Sequence, residues 1–124
     1  MSQLISRSEI ERSKQEEKFV LLTAEQIRKD FAMFGLEVTF SGNVVFAYQE
    51  LFKQLKIYID DLLSNDYERL MSLLYQIDLS EKELTKQDPG YAFETLSEIV
   101  THKILERELK KVLIRTYFKE KGEN

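Results

Sequence analysis

Apolar positions along most of this chain recur at three- and four-residue spacing, the period of an amphipathic helix. Val44, Tyr48, Leu51, Leu55, Tyr58 and Leu62 step by four, three, four, three and four, and Val45, Phe52 and Ile59 widen the stripe. This predicts a helix from about Asn43 to Leu63. Ile27, Phe31 and Phe34 share one face of an earlier helix. Its start reads as Thr23, with Gln26 completing a capping box and Leu22 packing on Ile27; Gly35 is its stop, since glycine accepts positive φ at little cost. Leu70, Leu73, Leu74 and Ile77 form a third face, with Asn65 and Glu68 as its capping box. Ser80 with Glu83, and Leu79 with Leu84, mark a short fourth helix.

Leu36-Glu37-Val38-Thr39-Phe40 alternates with a period of two instead, like a strand. Ser41-Gly42-Asn43 would be its turn and Val44-Val45-Phe46 its return. This short β-hairpin near 36–48 competes with the helical stripe that starts at Val44. Residues 1–18 are polar and dense in charge, and Leu4, Ile5 and Ile10 make no convincing stripe. They read as a flexible arm ahead of a single helical domain, 19–124. The fold class is all-α: an irregular bundle of four to five helices ending in a long C-terminal helix.

That last helix changes face. Asp88 and Pro89 read as its N-cap and first position, and it runs to about Lys119. In its first half Ala92, Phe93, Leu96, Ile99, Val100 and Ile104 share one side. In its second half Leu105, Leu109, Val112 and Leu113 share a side roughly opposite, while Arg107, Glu108 and Lys111 stand where the first face would continue. A kink near 101–106 lacks a proline or glycine to cause it. The alternatives are burial of both faces within one monomer, or packing of the second half against another subunit. About 30 helical residues span ~45 Å, whereas a compact domain of this length has a radius of gyration of only ~14 Å. The helix should overhang its bundle, so a homodimer through Leu105, Leu109, Val112, Leu113 and Tyr117 is the favoured expectation.

Composition agrees with one helical domain. The chain has 124 residues, 43% of them hydrophobic and 32% charged, with four Gly and one Pro, and Gly and Pro are the costly residues inside helices. It has no Cys, which excludes disulfides and thiolate metal sites. The first residues are not a signal peptide, since Arg7, Glu9, Glu11 and Arg12 interrupt any apolar run. No uncharged stretch approaches the ~18 apolar residues of a membrane span. The expectation is a cytoplasmic protein that does not enter the membrane.

Charge is uneven. Residues 1–98 carry 11 Lys/Arg against 18 Asp/Glu, and residues 99–124 carry 7 against 4. The acidic bulk argues against general nucleic-acid binding, which needs a positive field. Lys103, Arg107, Lys111, Arg115 and Lys119 nonetheless recur every four residues and could meet nucleic acid or an acidic partner. The competing reading is a solvated face that complements the helix dipole.

Catalytic sets are incomplete. His102 is the only histidine, on a stripe with Glu94, Glu98 and Glu106, which would favour imidazolium. The histidine phosphotransfer domains resemble this chain in size and in carrying a His on a helix. They keep Lys and Gly soon after that His; here Lys103, Ile104, Leu105 and Glu106 follow, so the pattern fails. One histidine cannot supply the two Glu-x-x-His pairs of a di-iron bundle. There is no Gly-x-Ser-x-Gly elbow, and the four glycines at 35, 42, 90 and 122 form no phosphate loop. No cofactor or metal is expected. The reading is a small non-enzymatic interaction or regulatory protein that self-associates through its last helix. Binding through the basic stripe, and a phosphorelay or enzyme role centred on His102, are the alternatives.

Overall fold

A computed structural model describes residues 5–14, 16–86, 90 and 94–122. Among them are six α-helices and no strand: α1 (Arg7–Ser13), α2 (Glu17–Ala32), α3 (Ala47–Asn65), α4 (Tyr67–Ile77), α5 (Glu81–Thr85) and α6 (Leu96–Gly122). The chain is an all-α bundle organised around α6, which packs against each of the other five helices.

The capping residues explain the boundaries, and several differ from the sequence reading. α2 starts at Glu17, so Thr23 lies inside the helix as a buried residue rather than at its cap, and Leu22 is exposed. The helix ends as expected. Leu36 N–H reaches Phe31 C=O and Gly35 N–H reaches Ala32 C=O, with Gly35 at φ 72°, a Schellman closure that needs the left-handed region. At α4 the cap is Asp66, whose side chain accepts from Arg69 N–H, in place of Asn65. Ser80 caps α5 as read, accepting from Glu83 N–H.

The hairpin does not form. Residues 36–41 are neither helix nor strand, Val44–Phe46 make one 3-10 turn, and α3 begins at Ala47. Asp88, Pro89, Ala92 and Phe93 lie outside the described residues. α6 begins later than read, and its start is a capping box: Thr95 Oγ1 accepts from Glu98 N–H while Glu98 Oε1 accepts from Thr95 N–H. From there α6 is continuous through 101–106.

The main core joins α2, α3, α4 and α6. Ile27, Phe31, Leu55, Ile59, Leu73, Ile77 and Ile104 are fully or almost fully buried. A second, smaller cluster gathers Ile5 and Ile10 with Leu109, Leu113, Phe19 and Ile114. The segment read as a flexible arm therefore includes a helix, α1, laid on the second half of α6. Ile5 and Ile10, five residues apart, carry this contact without a longer stripe.

Candidate functional site on the last helix

Both faces of α6 are covered by the chain itself. Val100, Thr101, Ile104 and Glu108 are at most 2% exposed; Leu105, Leu109, Val112 and Leu113, expected at a subunit interface, are 4–7% exposed. Of the second explanation and the third, the one chain realises the second. Leu105 belongs to the main core, while Leu109 and Leu113 lie under α1. The overhang is short: among the expected interface residues only Tyr117 is exposed, edge-on to Phe118 at 5.5 Å.

The polar residue that interrupts the first face is Glu108, and it is fully buried. It meets Asp30 of α2, itself buried, and Lys111. Lys111 Nζ lies 3.0 Å from Asp30 Oδ2 and 3.1 Å from Glu108 Oε1. Gln26 Nε2 donates to Asp30 Oδ1 at 3.1 Å, and Arg115 Nη1 donates to Gln26 Oε1 at 3.0 Å. Two buried carboxylates with one ammonium leave a net negative charge in a poor solvent for charge. Lys111 approaches Glu108 at a poor hydrogen-bonding angle, so neither Glu108 oxygen receives a good hydrogen bond. A proton on Glu108 resolves this, because the acid then donates to Asp30. Burial foremost, then the hydrogen bond and charge of Asp30, push the Glu108 carboxyl up to about 8, against the pull of Lys111. Asp30 moves the other way: burial raises it, but hydrogen bonds from Glu108, Lys111 and Gln26 lower it below its ordinary value.

The basic stripe is built inward. Lys103 donates to the carbonyls of Glu83 and Lys86. Arg107 reaches the Asp78 carbonyl and carboxylate at 3.0 and 2.7 Å. Lys111 and Arg115 serve the Asp30 cluster, and Lys119 is exposed near the helix end. Four of the five expected contact residues thus clamp α6 to α2, α5 and the turns that follow α4 and α5.

His102 is not a solvated surface residue. Its ring lies 4.5 Å from that of Phe52 and 5.9 Å from that of Tyr48, and Nδ1 shares a 2.7 Å hydrogen bond with the Tyr48 hydroxyl. Nε2 faces Glu94 at 3.8 Å. Burial, aided by Lys14, lowers its pKa and outweighs the three glutamates that were expected to favour imidazolium. Beside this stack is a cavity of about 40 Å³ lined by Ser13, Lys14, Val20, Thr23, Tyr48 and Leu105 among others, with the Thr23 hydroxyl unpartnered at its wall. That is room for only a few water-sized groups. Among the described residues no cluster of three His, Asp or Glu side chains is arranged to hold a metal. No described helix is long and apolar enough to cross a membrane.

Sequence reasoning missed Asp30, Glu108 and the packing of Ile5 and Ile10. The signal for Glu108 was present as a charged residue on the continuation of an apolar face. Its partner, 78 residues earlier, had no local signature. No family model matches the chain, and neither does any curated protein or solved structure.

Proposed function

We propose that this chain is a non-enzymatic interaction module that self-associates through its last helix by exchanging α1 between two copies. The observation that carries this reading is the apolar cluster beneath α1, which is separate from the main core. α1 is seven residues long; Ile10 within it and Ile5 just before it pack into this cluster, beside an Arg7–Glu106 ion pair at 2.8 Å. Arg7 is 62% exposed, so the ion pair adds little. Two buried isoleucines are a small apolar contact to set against the conformational entropy of ordering the segment. The docking of α1 is therefore shallow, and its release uncovers Leu109 and Leu113. The same segment of a second copy offers the same contacts, which is the arrangement of a swapped dimer.

Light scattering across a range of concentrations tests the association, and a cysteine pair tests the route. The chain has no native Cys, so Ile10→Cys with Leu109→Cys introduces the only thiols. Exchange gives a rising mass and disulfide-linked dimers on oxidation. A monomer at every concentration, with only intrachain bridges, would overturn the reading.

A further inference from the structure

Two polar contacts of α1 are made by cations, and both end beside His102. Near the start of α1, Arg7 pairs with Glu106, one helical turn beyond His102 on α6. At its end the C-cap residue Lys14 lies over the Tyr48 ring, with Nζ 5.3 Å from the ring centre. That tyrosine stacks on His102 and shares the hydrogen bond with its Nδ1. The Arg7 pair is exposed and screened by solvent. Lys14 is more sheltered, 26% exposed, and touches the histidine stack itself. A series of three side chains, Lys14, Tyr48 and His102, thus joins the end of α1 to α6 by way of α3.

Charged and polar groups face His102 from each neighbouring element. Glu94, just ahead of α6, stands 3.8 Å from Nε2. Glu98 and Glu106 lie one turn to either side on α6, Lys14 comes from α1, and Tyr48 and Phe52 come from α3. The glutamates favour imidazolium, whereas burial foremost, and then Lys14, oppose it. The His102 side chain keeps 19% of its surface exposed, so a proton reaches it without unfolding. With its proton on Nε2, towards Glu94, the neutral ring accepts at Nδ1 from the Tyr48 hydroxyl. The imidazolium donates from both nitrogens, and that hydroxyl must turn from donor to acceptor. The Tyr48 ring then has two cations against it, His102 and Lys14, which repel each other.

We propose that protonation of His102 releases α1 from α6, which makes the docking of α1 a pH-sensitive latch. Linkage fixes the sign. Docked α1 brings Lys14 to the stack and makes His102 harder to protonate, so protonation weakens docking by the same factor. In the released state Lys14 is gone and His102 binds its proton more tightly. Docking is therefore complete above the ordinary 6.5 of a histidine and weakens as pH falls below it. Release uncovers Leu109 and Leu113. Only the consequence for self-association rests on the α1 exchange proposed above; the latch does not.

The test follows the full chain from about pH 7.5 to about pH 5.5. Amide protection factors are read at Ile10 and Lys14, whose N–H groups bond to the carbonyls of Ser6 and Ile10. Both should fall about fivefold or more on acidification, and His102→Gln should flatten that response. The reciprocal arm titrates His102 by proton NMR. Lys14→Gln should raise its proton affinity about twofold or more, and so should Ile10→Ala, which changes no charge and acts only by loosening α1. Protection that does not change with pH, an equal fall in His102→Gln, or a His102 titration unmoved in both variants overturns the proposal. Light scattering on the same samples separates the two ideas. A mass that rises with acid supports latch and exchange together. A strict monomer whose α1 still opens upholds the latch and overturns the exchange alone.

Discussion

Replacing Glu108 by Gln removes the one ionisation that the centre of α6 accommodates worst. An unfolded chain releases this proton near 4.5, and the folded chain holds it up to about 8. One pH unit across that gap is worth about 1.4 kcal/mol. The sign follows from linkage. The folded state binds the proton more tightly, so the contribution to stability is full below 4.5 and declines as pH rises through about 8. At neutral pH the loss reaches about 3 kcal/mol, a large share of a small domain's stability. Gln has no such proton to lose. Its amide can donate to Asp30 and accept from Lys111, the pattern of the protonated acid. Glu108→Gln should therefore be more stable than the parent at neutral pH by ~1–3 kcal/mol, and about equal to it near pH 4. Asp30, with its lowered value, opposes at the acid end and loses its contribution as pH falls through its folded pKa. The parent should thus be most stable in mildly acid solution. Urea unfolding followed by circular dichroism at several pH values measures both slopes. A variant destabilised by more than ~1 kcal/mol at neutral pH, with an unchanged pH slope, would show that Glu108 is ionised in the fold and refute the argument.

Three further predictions rest on other parts of the fold. Gly35→Ala should cost ~1 kcal/mol, because φ is 72° there and the new Cβ would stand 3.4 Å from Arg69 Nη2; a midpoint unchanged in urea would count against the left-handed closure of α2. His102 should titrate below 6.5 in proton NMR, since burial lowers it, and the fold should lose stability as pH falls from that value; a titration above 6.5 would mean the glutamates prevail. Ile10→Ala, at a site 2% exposed, should loosen α1 while sparing the main core, seen as tryptic cleavage after Lys14 at least ~10-fold faster; unchanged cleavage would mean α1 is held by something other than its isoleucines.

The sequence carried the helical architecture because helix formation leaves a local period. The Leu70–Ile77 stripe and the Ser80 cap were readable from neighbouring residues alone. Thr23 misled because a Thr three residues before Gln resembles a cap wherever it occurs, and the helix had already begun at Glu17. Alternation in 36–40 matches the alternating burial of these residues, but no strand forms, and Thr39 pairs with the Gln54 side chain instead. A hairpin rule cannot foresee that. The face switch of α6 was visible, and its cause was not: one side answers the main core, while the other, beyond Leu105, answers α1 and the start of α2. The charge cluster of Asp30, Glu108 and Lys111 depends on pairing across the whole chain, which a period along one helix does not encode.

The central place of α6 also bears on how the chain comes to be folded. Its 27 residues span roughly 40 Å and supply contacts to every other helix, yet they follow all five in synthesis order. Helices α1 to α5 emerge first, with Ile27, Phe31, Leu55 and Ile59 lacking the surface that later covers them. The nascent chain must wait, adhesive and open to proteases or chaperones, until α6 is made. Messages that stop short of α6 should yield fragments that aggregate or are degraded, even though they contain most of the residues.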